Sequence, residues 1–164
     1  MRKLHKIVLL LLFLSSLNIA EEMDWKREFT ISSKKKFSIN EPLKFSINMG
    51  SKEGFIYLVY VDNKGGTSVL YPHKSTKQKK KVGQLKFPKD FGGKDIHTTK
   101  DCKGCKEEKT TIFVLLSDDP IENIQNMTQQ DIVSIESKQK NKNRDISLNK
   151  SKTILVNKVD LYVE

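Results

Sequence analysis

Cys102 and Cys105 stand three residues apart as Cys-Lys-Gly-Cys, and no other pair in the chain has a spacing suited to special chemistry. In a reducing compartment beside a βαβ pattern, this spacing suits a thioredoxin-type dithiol. Here no helix N-terminus follows to lower a thiolate pKa, and lysines flank the pair. The expectation is a structural disulfide at the tip of a β-hairpin, with a redox-active or metal-bound pair as the competing reading. So short a loop removes little chain entropy, which places its stabilisation towards the low end of ~0–5 kcal/mol. Zinc would need further ligands, and only His73, His97 and acids such as Asp101 are at hand. No metal and no cofactor is therefore assigned.

The remaining reactive residue types form no constellation. His73 follows Pro72 and His97 alternates with Ile96, so both read as surface or strand-face residues rather than acid–base catalysts. No Gly-x-Ser-x-Gly elbow exposes a serine nucleophile. Gly65-Gly66 and Gly92-Gly93 are isolated turn pairs, not a phosphate-cradling loop. Asp118-Asp119 has the chemistry for calcium, but adjacent acids after a strand read first as a helix cap. The chain is expected not to be an enzyme.

Charge points to partners instead. The formal net charge is +10, and removing the three cations of residues 1–20 leaves +7. The excess sits in Lys74–Lys81 (KSTKQKKK) and Lys138–Lys150. Arg2, Lys3 and Lys6 precede the apolar run Ile7–Leu14, and Ser15, Ser16 and Ala20 offer small residues for cleavage. That is the pattern of a secretory signal peptide, with cleavage expected after Ala20. The run falls well below the ~20 residues of a membrane-spanning helix; an uncleaved N-terminal anchor is the alternative. An exported basic protein, periplasmic or secreted, meets envelope proteins, anionic envelope polymers and membrane surfaces, where peripheral contact is open to it, rather than nucleic acid. No aromatic residue interleaves with the lysines to stack bases. The expected contact residues are Lys74, Lys77, Lys79, Lys80 and Lys81, helped by Tyr71 and His73, against a solvated loop as the bland alternative.

The elements that must carry these residues are mostly strands. Gly54–Pro72 places Phe55, Tyr57, Val59 and Val61 on one pleat face and Ile56, Leu58 and Tyr60 on the other. A strand apolar on both faces belongs inside a sheet. Asp62–Gly66 supplies a turn, and Thr67–Tyr71 returns as the second arm of a hairpin. Leu43–Met49 alternates as a strand with one wet face, separated from the hairpin by a turn cluster at Gly50–Gly54. Glu21–Ser33, with Trp25, Phe29 and Ile31, reads as a first strand. Val82–Phe87 is a short strand ended by Pro88. Lys94–Lys100 is expected to pair with Lys109–Asp118. Residues 120–138 carry apolar positions at spacings of three and four, Ile121, Ile124, Met127, Ile132 and Ile135, which predict a helix capped by Asp118 or Asp119. A short strand at Asp131–Ile135 competes with it. Residues 139–152 read as a mobile basic segment, and residues 153–164 as two terminal strands, the last available to the chain's own sheet or to a partner's.

The hairpin and the segments after it resemble a bacterial family, domain of unknown function 4384. The resemblance lies in Gly54-Phe55-Ile56-Tyr57, the Asp62–Gly66 turn, Leu70-Tyr71-Pro72, then Val82-Gly83, Phe87-Pro88 and the strand Ile112–Asp119. It spans roughly residues 37–120. His73 replaces the asparagine common after the proline, and Cys102–Cys105 replaces a Pro-Gly step. The resemblance implies a small extracytoplasmic β-sandwich-like module and brings no catalytic residue. Together these readings give a mostly β fold, a small antiparallel Ig-like sandwich over residues 21–164 as one domain, with one helix after the core strands.

Overall fold

The computed structural model describes residues 29–73, 78–93, 95–141 and 154–164. The fold is mostly β with one α-helix among the described residues. The strands are β1 (Thr30–Ser33), β2 (Lys36–Phe37), β3 (Phe45–Val61), β4 (Thr67–Tyr71), β5 (Lys81–Phe87), β6 (Glu108–Ser117) and β7 (Ile154–Val163), and the helix is α1 (Gln129–Asn141). They form one curled, mixed sheet in the order β1-β3-β6-β7-β2, with β4 and β5 also paired to β3. Every pairing is antiparallel except the short one between β2 and β7.

β3 organises the rest. Its first half pairs with β1 and β5, and its second half with β4 and β6. The sequence suggested a turn at Gly50–Gly54; the chain instead runs through as one strand of 17 residues. Between Asn48 and Glu53 the register against β5 shifts, because five residues of β3 oppose a shorter step of its partner. Such a bulge changes which face a side chain occupies. Phe45, Ile47 and Met49 therefore share a core with Ile56 and Leu58, although their numbers differ in parity. Phe87, Phe91, Tyr71 and Leu161 complete that core on the inner face of the curl. Asn157 donates its side-chain amide to the Phe29 carbonyl at 2.8 Å, tying β7 to the strand at the far end of the sheet order.

The two-faced reading of the hairpin strand holds residue by residue. Ile56, Leu58 and Tyr60 face the inner core. Tyr57, Val59 and Val61 face a second cluster with Phe113, Leu115, Ile124 and Ile132. The helical segment covers this outer side. Its expected start is corrected: Asp118 and Asp119 do not cap it, and a 3-10 turn at Ile124–Asn126 comes first. The cap is Thr128, whose hydroxyl and backbone N–H both donate to Asp131 while the Asp131 N–H returns to the Thr128 hydroxyl. This reciprocal box satisfies amides that a helix start leaves without partners.

Two further expectations change. The strand expected at 94–100 is not formed by its described residues, 95–100, which touch the sheet ladder only through an isolated bridge from Pro42 to His97. Both sides of β6 are taken, by β3 and by β7, so no position is left for it. The two expected terminal strands are one, β7, paired with β6 over its whole length. The expected signal segment, Trp25, Lys74, Lys77 and residues 142–153 lie outside the described residues.

Candidate binding surfaces

The hairpin turn is built by Asp62, whose Oδ1 accepts the N–H groups of Lys64 at 2.8 Å and Gly66 at 2.7 Å. Gly65 takes the left-handed conformation this turn needs (φ 84°). β4 leads from there to the basic segment, and the structure divides its expected contact residues. Tyr71 is a core residue, only 5% exposed, so its ring is withdrawn from any contact surface; burial pushes its hydroxyl pKa up. Lys81 is withdrawn too: its ammonium donates to the Asp90 carbonyl at 2.8 Å and lies over the rings of Tyr71 and Phe91. It is half-buried and holds the 3-10 turn Lys89–Phe91 against β5. Lys79, Lys80 and His73 are exposed, with Lys80 above the Phe55 ring at 5.9 Å.

The alternation of sheet residues exposes more lysines than the sequence singled out. Ser32 lies opposite Ser46, and Ser46 opposite Lys86, so a row of polar side chains crosses β1, β3 and β5. A groove of about 500 Å³ follows this row, lined by Lys34, Lys44, Lys86 and Lys89 with serine hydroxyls between them and no carboxylate. Lys34 is paired with Glu41 at 2.6 Å. That contact, with the Ser38 N–H, holds the Glu41 carboxyl below its ordinary range. All four lysines are exposed, and the other three have no carboxylate in the groove lining. The wet face of residues 43–49 was legible, but its neighbours lie on strands distant in sequence.

Cys102 and Cys105 are disulfide-bonded, with Cα atoms 5.8 Å apart. Their position is corrected from a hairpin tip to the irregular segment before β6. Glu108, the first residue of β6, is 4% exposed and accepts the N–H groups of Asp101 at 2.7 Å and Cys102 at 2.9 Å on one oxygen. Lys100 donates to the Cys105 carbonyl at 2.9 Å. Sequence reasoning missed Glu108, although an acid three residues after the second cysteine was visible. Its ligand atom and the two sulfurs lie within 4.8 Å of one another.

The same segment walls a cavity of about 250 Å³ at the open end of the inner core. Leu43, Leu70, Ile96 and Leu161 give it aliphatic sides, and Tyr60, Asp62 and Asp101 stand among its polar lining. Burial raises the Tyr60 hydroxyl pKa, and the nearby carboxylates of Glu108, Asp62 and Asp101 raise it further. Backbone bonds fix the wall: the Leu43 N–H donates to the Ile96 carbonyl at 2.7 Å, and the Thr98 N–H to the Glu41 carbonyl at 3.0 Å. Among the described residues no helix is long and apolar enough to cross a membrane. No family model matches the chain, and no curated protein or solved structure matches it.

Proposed function

We propose that the chain is a non-catalytic, exported β module that binds an anionic component of the cell envelope, polymer or acidic protein surface, through a lysine-rich face. The observation that carries this reading is the groove across β1, β3 and β5, where Lys44, Lys86 and Lys89 stand exposed with no carboxylate in the lining. Phosphate and carboxylate groups spaced along a polymer match a row of ammonium groups interleaved with hydroxyl donors. Lys79 and Lys80 are exposed at the opposite end of β5 from the groove and offer a second basic patch. Export is supported by the basic start, the short apolar run and the small residues before Glu21. The order of the hairpin, Val82-Gly83 and Phe87-Pro88 supports kinship with domain of unknown function 4384.

Charge reversal at Lys44, Lys86 and Lys89 together should release the protein from the envelope fraction at lower salt than the parent. Retention unchanged by all three would remove the groove from the account. N-terminal sequencing of the exported form should begin at Glu21; recovery of the full precursor from the cytosol would end the export reading.

One observation favours a second reading, a metal or redox role. Reduction of Cys102 and Cys105 would present two thiolates beside the buried Glu108 carboxylate, three donors of the kind zinc accepts. Metal analysis of the reduced protein against its Glu108→Gln variant tests the metal role, which no stoichiometric metal in either would end; a disulfide unreactive in thiol titration would end the redox role.

A further inference from the structure

We infer that the cavity between Ile96, Leu70 and Leu161 is a binding site for a primary alkylammonium group, such as a lysine side chain or a small aliphatic amine. In a chain with 30 lysines and arginines against 20 acids, the cavity lining contains two carboxylates, Asp62 and Asp101, one imidazole, His97, and no lysine or arginine. Its walls are aliphatic on several sides: Leu43 from the turn before β3, Leu70 from β4, Ile96 from the bridging segment and Leu161 from β7. An alkyl stem is accommodated by such walls, and its ammonium is directed to the carboxylates and the Tyr60 hydroxyl at the polar part of the lining. Anions are disfavoured by the same carboxylates. At about 250 Å³ the space is smaller than sites for drug-sized ligands, which begin near ~300 Å³, and suits one side chain or a short amine.

The disulfide segment acquires a role in this site. Cys102–Cys105 closes the loop that follows Asp101, and Glu108 holds the Asp101 and Cys102 amides from below. Lys100 is turned away to the Cys105 carbonyl. The Asp101 backbone is thereby held beside the cavity while its nearest cation in sequence is occupied. Asp62 is fixed by the turn it caps. The Asp62 carboxylate and the Asp101 backbone are therefore in place before a ligand arrives, which lowers the cost of binding.

The test is a titration of the full, oxidised chain with pentylammonium, with N-acetyl-lysine amide and with neutral pentanol, followed by calorimetry and methyl NMR. Saturable binding of either amine, with shifts at Leu70, Ile96 and Leu161 and with pentanol at least about tenfold weaker, supports the site. Binding of the capped lysine points to a polypeptide ligand, and binding of pentylammonium alone to a free amine. Asp101→Asn, an exposed position with no part in the core, should weaken the amine about tenfold while leaving the melting temperature unchanged. Asp62→Asn is avoided as the primary variant because it also disturbs the turn. No saturation by either amine at tens of millimolar overturns the inference. So does equal binding of pentanol, or an Asp101→Asn protein that binds the amine as the parent does.

Discussion

A methyl group added at Gly54 would test how closely β3 and β6 approach. Built on the backbone, that methyl lies 2.7 Å from Leu116 Cδ1 and 2.8 Å from the Ser117 carbonyl oxygen. The leucine can rotate away. The carbonyl cannot, because Ser117 sits in register with Phe55 at the end of the ladder between the two strands. Ordinary contact begins at 3.4 Å, so the strands must part locally by about 0.6 Å. Overpacking of this kind costs ~1–3 kcal/mol, whereas exchanging a strand glycine for alanine returns ~0.5–1 kcal/mol of backbone entropy. The net loss expected for Gly54→Ala is about 1–2 kcal/mol, or a fall of about 3–6 °C in Tm for a chain of this size. Thermal and urea unfolding followed by circular dichroism would read it, with an unchanged urea slope showing that the fold survives. A variant as stable as the parent, or more stable, would refute the close approach of β3 and β6.

Other consequences are equally concrete. The Tyr57 hydroxyl, fully buried, accepts the Ile121 N–H, so Tyr57→Phe strands that amide and should cost about 1–3 kcal/mol in urea unfolding. Thr128→Ala should cost about 1 kcal/mol at neutral pH through loss of the helix cap. The Thr128 hydroxyl and N–H hold the Asp131 carboxyl below its ordinary 3.8, so this contribution is complete above pH ~4 and disappears as pH falls through the lowered value. The penalty of Thr128→Ala should therefore shrink in acid melts. Burial pushes the Asp160 carboxyl up, but bonds from Lys109 and Thr111 outweigh it and hold the group low. Asp160→Asn should accordingly flatten the acid limb of the Tm profile below pH ~4 while changing little of its shape at neutral pH.

What was legible in the sequence was whatever a strand states about itself. Phe55 to Val61 declares two apolar faces by alternation, and both faces are filled as the pattern requires. The Asp62–Gly66 turn is equally local, since one carboxylate and one left-handed glycine make it. Errors arose where two local signals competed. Asp118-Asp119-Pro120 looked like a helix start, but Thr128 and Asp131 form a better cap closer to the buried Ile132. Gly50–Gly54 looked like a turn because glycines and charges cluster there, yet a bulge uses the same residues. Long-range partnership left no local trace. Nothing near Lys109 says that its strand pairs with residues 154–163, so the sequence alone offers residues 94–100 a place that β7 occupies. Both candidate sites are assembled from segments far apart in sequence, which is why neither the Lys44–Lys86 row nor the Asp62–Asp101 cavity was named in advance.

The two sites owe their separation to the period of a β-strand. On β3, Phe45 and Ile47 belong to the core that continues to the cavity walls, while Ser46, between them, pairs with Lys86 in the polar row of the lysine groove, whose lining Phe45 and Phe87 reach only from its floor side. One residue of register thus divides a basic outer surface from a cavity lined by carboxylates. The two faces should then behave as independent sites, because substitutions on opposite sides of a sheet share no partner. Reversing Lys44, Lys86 and Lys89 should leave alkylammonium binding within about twofold, and Asp101→Asn should leave envelope retention unchanged. Strong coupling between them, in either direction, would mean that the groove and the cavity are one site reached from two sides, and the division by strand register would have to be abandoned.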